Sequence, residues 1–239
     1  MTDLEGWVAR RYAEARATPV VDARSVTPSV RDLGSGLRCG RRDLVSIPVV
    51  RPADDGSARE LAARALSADV AALAFSADPA AGSSLAAARA ASDALPSTPL
   101  LRIDPVVSEG QVLESRLAGA DAVAVPSGLV PADDVRRLAR VARATMMTPV
   151  FIVRSSEDWT LVREADPRFV LAGGPGFPVA RALALAAELP PQVAVCLWAD
   201  GVGTPADVRA LLGRADGVLL DAGFPVTSWG EVAVVDATG

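Results

Sequence analysis

The chain has 239 residues, half of them hydrophobic, with 24 basic and 29 acidic side chains and a formal net charge of −5. That is the size of one large domain, and a single (β/α)8 barrel occupies about 250 residues. The mild acidity, with no basic block, argues against nucleic acid or an anionic membrane as partner, and no leader-like start or membrane-spanning run is evident, so a cytoplasmic setting is expected.

Taken in order, Leu4 to Ala17 sets Leu4, Trp7, Val8, Tyr12 and Ala15 at helical spacing. Thr18 to Arg42, rich in Pro, Ser and Gly, reads as a covering loop with a short helix near Arg31 to Leu37. The chain then alternates. Strands are predicted at Leu44–Val50, Val70–Phe75, Pro99–Ile103, Ala122–Val125, Val150–Val153, Phe169–Leu171, Val193–Trp198 and Gly217–Leu220. Helices are predicted between them at Ala58–Leu66, Ser84–Leu95, Gln111–Leu117, Asp133–Ala144, Glu157–Arg163, Val179–Glu188 and Pro205–Leu212. Gly119 stops the third of these, and the last has Thr204 as N-cap with Pro205 at its first position.

This alternation predicts a TIM (β/α)8 barrel with an extra N-terminal helix. An open doubly wound sheet is disfavoured, because no Gly-rich dinucleotide loop follows the first strand. The division is residues 1–42 as helix and covering loop and 43–239 as barrel, one domain overall. After Asp221 the expected eighth helix is missing. Pro and Gly break the chain there, and Glu231 to Asp236 favours an extended form. Either this tail lies on the barrel, or it forms with Trp229, Val232 and Val234 a flank that docks another chain.

Every basic residue is Arg; the sequence contains no Lys, His or Asn. There is therefore no side-chain amine for a Schiff base and no imidazole. Proton exchange falls to Asp, Glu, Tyr12, Cys39 and Cys196, and the two cysteines match no metal spacing. Cys196, inside an apolar strand, reads as a buried structural thiol. The run Gly173-Gly174-Pro175-Gly176 reads as a strand-to-helix turn.

Three segments carry a resemblance: Pro99-Leu-Leu-Arg-Ile-Asp104, Gln111-Val-Leu-Glu-Ser-Arg116 and Ala118-Gly-Ala-Asp-Ala-Val-Ala-Val125. Together they resemble the middle of indole-3-glycerol phosphate synthase, with its Leu-Arg-Lys-Asp-Phe strand, Gln-x-x-x-Glu-Ala-Arg helix and Ala-Gly-Ala-Asp-Ala-Val turn. The resemblance implies a barrel whose chemistry sits at the C-terminal ends of the strands. It also places Ile103 where that family has its catalytic lysine, Ile47 and Val49 for a glutamate and a lysine, and Ile152 for a carboxylate. Asp200 and Asp221 fall at or beside its phosphate-binding positions.

The resemblance thus implies a degenerate, non-catalytic barrel of the tryptophan-biosynthesis family, with no catalytic residue, no cofactor and no metal. Its role would be structural or regulatory, with another protein, for instance an enzyme of the same pathway, or with further copies of itself. The alternative is a divergent enzyme or small-molecule binder using Arg51, Arg102, Asp104, Arg154, Asp200 and Asp221 at the barrel mouth. Retained carboxy-lyase activity ranks last. Asp104, Asp200 and Asp221 could jointly hold a divalent cation, but helix capping or pairing with Arg51, Arg102 and Arg154 is the favoured reading.

Overall fold

Short apolar runs, most of them leading into a helix with a side-chain cap, set the architecture. A computed structural model of the chain describes residues 3–16, 21–37 and 40–236. In chain order the elements are α1 (Leu4–Ala15), β1 (Leu44–Val50), α2 (Asp55–Ser67), β2 (Leu73–Phe75), α3 (Leu85–Ala94), β3 (Leu100–Arg102), α4 (Glu109–Leu117), β4 (Ala122–Pro126) and α5 (Ala132–Ala144). They continue with β5 (Thr148–Val153), α6 (Ser156–Val162), β6 (Phe169–Pro178), α7 (Val179–Glu188), β7 (Ala194–Asp200), α8 (Pro205–Arg209), β8 (Gly217–Leu220), α9 (Trp229–Val232) and β9 (Val234–Val235).

Strands β1 to β8 are parallel and neighbour one another in chain order. β1 pairs with β2 through Val49↔Ala74 and Val50↔Phe75, and with β8 from Val45↔Gly217 to Pro48↔Leu220. The sheet therefore closes on itself, and the fold is the expected (β/α)8 barrel. The strands are buried on both faces, inward by the barrel interior and outward by the helices, so their residues are largely apolar without alternation. Ser84, Ser108, Ser155 and Thr204 each accept a backbone N–H in the first turn of the following helix, which fixes where the helix begins after its loop.

Two glycines are dictated by close approach. Gly119, at φ +89 after α4, sits where a Cβ would lie 2.2 Å from Ser92 Oγ. Gly173, at φ +115, sits where a Cβ would lie 2.3 Å from the Trp198 carbonyl oxygen, so only glycine lets β6 approach β7 here. β6 consequently runs past the expected end at Leu171 to Pro178, with a register irregularity between Gly173 and Pro178. The Gly173–Gly176 run is a bulged extension of the strand, not a turn.

The N-terminal segments cover opposite ends of the barrel. α1 lies across the mouth formed by the C-terminal strand ends. Leu4 stands against Gly174, Trp7 meets Trp198 edge-to-face at 6.1 Å, and Arg11 Nε donates to the Pro105 carbonyl at 3.1 Å. Residues 21–37 pass beneath the barrel, with a single 3-10 turn at Leu33–Ser35 inside the region expected to hold a short helix. Residue 17, the end of the expected first helix, and residues 18–20 and 38–39 of the expected covering loop, including Cys39, lie outside the described residues.

At that lower end, Asp121 is fully buried before β4. Its carboxylate accepts from Ser29 Oγ at 2.6 Å and the Leu100 N–H at 2.9 Å, and pairs with Arg31 at 2.7 Å and Arg116 at 2.8 Å. Asp216 repeats the arrangement before β8, accepting from the N–H groups of Val195 at 2.8 Å and Arg41 at 2.6 Å. Each aspartate ties the start of its own strand to the start of the strand before it.

The tail also closes the lower end. β9 runs antiparallel to β1 through Leu44↔Val235 and Val45↔Val234, beside the half of β1 that β2 does not reach. Trp229 and Val232 are buried in the chain's own core. They are therefore not surface for a partner, and only Val234, 55% exposed, remains outside. Among the described residues, no helix is long and apolar enough to cross a membrane.

Candidate functional site

Eight loops converge at the C-terminal end of a parallel barrel, and α1 roofs that end here. Between roof and strand ends lies a cavity of about 360 Å³. Its polar lining comes from Trp7 and Arg10 of α1, Arg51 after β1, Ser76 and Asp78 after β2, Trp198 and Asp200 of β7, and Asp221 after β8. Arg51, Asp200 and Asp221 were expected at the mouth from their positions at strand ends. Trp7 and Arg10 were not, because nothing local in the sequence says that α1 folds over the mouth; Ser76, Asp78 and Trp198 also stand at strand ends but were not singled out.

Charges in the cavity are matched in two pairs. Arg10 Nη2 lies 3.3 Å from Asp78 Oδ2, and Arg51 Nη2 lies 3.2 Å from Asp221 Oδ1. Asp78 is further held by the Ala80 N–H at 2.9 Å, donated to its Oδ1. The Asp200 carboxylate has neither hydrogen bond nor ion pair among the described residues, and it is exposed to the cavity.

Arg102 and Asp104 do not line the mouth. Both are buried and paired with each other at 3.1 Å, and Arg102 reaches outward to α4, donating to Ser115 Oγ at 2.9 Å. Asp104 accepts from Ser76 Oγ at 2.6 Å and the Ala77 N–H at 2.7 Å. It acts one layer back, fixing the loop that presents Ser76 and Asp78. Arg154 lies off the cavity, 3.7 Å from Glu5 and with its guanidinium 5.7 Å from the centre of the Phe177 ring.

The cation alternative also fails on geometry. Asp104 is shut away from Asp200 and Asp221, and no cluster of three or more metal-binding side chains occurs among the described residues. Arg102–Asp104 and Arg51–Asp221 follow the expected pairing with arginines. Cys196 is buried as expected. Burial, with some help from Asp216, pushes its thiol well above the usual range, so it is no nucleophile.

Ile47, Ile103 and Ile152 are buried in the barrel core. These residues, at the positions where the resemblance puts catalytic groups, are barrel packing, and a cavity with a polar lining stands above them.

Comparison with protein-family models gives no match, and comparison with curated protein sequences gives none. Solved structures do share the fold. A 3-hexulose-6-phosphate synthase is similar at TM-score 0.65 and 18% identity, over 80% of this chain and 98% of that one. A second 3-hexulose-6-phosphate synthase, from Salmonella typhimurium, is similar at TM-score 0.67 and 13% identity, again over 80% and 98%. A 2-keto-3-deoxy-6-phosphogluconate aldolase from Zymomonas mobilis is similar at TM-score 0.60 and 20% identity, over 85% and 95%. These barrels are enzymes of a different family from indole-3-glycerol phosphate synthase. They overturn the assignment to that synthase and, with it, the tryptophan-pathway and non-catalytic scaffold readings. The physical reason is plain in the Ala118–Val125 segment: Gly119 and Asp121 are framework at the lower end of the barrel, remote from the mouth. At these identities the likeness shows the fold alone.

Proposed function

We propose that this chain is a divergent barrel enzyme acting on a polar small molecule held in the mouth cavity. The observation that carries this reading is the cavity itself. It brings Arg10, Arg51, Asp78, Asp200 and Asp221 from five separate segments to one opening at the end where barrels of this kind place their chemistry. The enzymatic nature of the structural neighbours supports it by analogy.

The lining limits the chemistry. With no Lys and no His in the sequence, a Schiff base or an imidazole acid is unavailable from this chain. The carboxylates of Asp78, Asp200 and Asp221 are the lining side chains that can take up or give a proton, and the two guanidiniums supply fixed positive charge. That combination fits acid–base catalysis, a carboxylate moving a proton while a guanidinium steadies the negative charge that develops. A positioned general base contributes roughly 10²–10⁴-fold in rate.

The test is a ligand screen read by tryptophan fluorescence, since Trp7 and Trp198 line the cavity, with mass analysis of each hit for conversion. The expected result is a compound that shifts the emission and is altered on incubation, with both effects lost in Arg51→Ala. Hits that bind and turn over equally well in Arg51→Ala and Asp78→Ala would place the activity elsewhere and overturn the reading.

A further inference from the structure

The cavity's unmatched groups define the class of ligand. Arg10 is engaged by Asp78 and Arg51 by Asp221, which leaves Asp200 as a carboxylate with no counter-charge among the described residues. It follows Trp198 on the same strand by two residues, and the Trp198 side chain also lines the cavity. A carboxylate beside an indole suits an organic cation, which gains from the charge and from the face of the ring.

A backbone feature suited to an anion, in the loop after β7, is already occupied from within. In the loop between β7 and α8, the Gly203 N–H at 3.1 Å, the Thr204 N–H at 2.9 Å and Thr204 Oγ1 at 2.7 Å all donate to Asp207 Oδ2. A phosphate approaching this loop would meet a carboxylate where it needs free donors.

A donor in the wall adds a second requirement. Trp7 is 8% exposed and lines the cavity, and its indole Nε1 has no hydrogen-bond partner. Arg10 Nε, one helical turn on, is likewise buried without a partner. A buried donor left unpaired costs about 1–3 kcal/mol, so an acceptor supplied by a ligand recovers that loss.

Resting on the small-molecule reading above, we infer that the mouth takes an unphosphorylated organic cation, its ammonium set between Asp200 and Trp198 and a hydroxyl or carbonyl oxygen accepting from Trp7 Nε1. Calorimetric titration tests this, with choline and ethanolamine as cationic probes and inorganic phosphate and glucose 6-phosphate as anionic ones. The expected result is binding of at least one cation and of neither anion. Affinity falls at least tenfold in Asp200→Asn and several-fold in Trp7→Phe, with melting temperatures unchanged in Asp200→Asn. Cation binding that survives Asp200→Asn, or anions that bind more tightly than cations, overturns the cation assignment while leaving the mouth a small-molecule site. If no probe of either charge binds, both the assignment and the small-molecule reading fall.

Discussion

The two ends of this barrel use aspartate in opposite ways. At the lower end, Asp121 and Asp216 are buried and saturated with donors from neighbouring strands and from the covering segment. At the mouth, Asp200 and Asp221 stand exposed, one unpaired and the other held by a single guanidinium contact. The same side chain is structural where its partners belong to the fold and chemically available where they do not. The difference lies in burial and partners, which a one-dimensional motif does not display.

That contrast can be broken by substitution. Asp121→Ala is expected to have the largest effect. It leaves the Leu100 N–H without its acceptor and takes away the carboxylate that faces Arg31 and Arg116, and loss of one member of a buried pair costs about 3–5 kcal/mol. Urea unfolding should show it directly; a loss below about 1 kcal/mol would mean that water replaces the carboxylate without penalty.

Asp207 lies between the two cases, since it is half-buried and well supplied with donors. Its hydrogen bonds from Thr204 and Gly203 hold its carboxyl below the usual value of 3.8. A depressed carboxylate stabilises the folded state fully above 3.8 and ceases to do so as pH falls through its lower folded value. The melting temperatures of the parent and Asp207→Asn should therefore differ most above pH 3.8 and converge in stronger acid. A gap that widens on acidification would contradict the sign.

Asp200→Asn should matter least for folding, within about 0.5 kcal/mol of the parent, because no partner is lost. A destabilisation approaching that of Asp121→Ala would erase the distinction between the two ends.

Much of the framework was legible. β1, β8 and α7 begin and end where their residues said they would, since apolar runs between strong punctuators leave little freedom. The site was legible only in part. Arg51, Asp200 and Asp221 follow from being at strand ends. Arg102 and Asp104 misled because β3 is buried on both faces, so its pattern carries no sign of which side chains point toward the helices. Trp7 and Arg10 required knowing that a helix from the start of the chain crosses the mouth. The Ala-Gly-Ala-Asp-Ala-Val segment misled for the opposite reason. Its glycine and aspartate meet a demand of barrel geometry, and Arg214-Ala-Asp-Gly-Val218 meets the same demand with Asp216.

The double engagement of β1 has a consequence for how the chain reaches this state. Among the described residues β1 is the first strand in chain order, yet its partners β8 and β9 are the last. Until they arrive, a long apolar edge stays open through synthesis, and every contact that closes the ring spans most of the polypeptide. Such topology slows folding and lengthens exposure to aggregation. By capping the lower half of β1, the two residues of β9 shield the stretch that would otherwise invite a foreign strand.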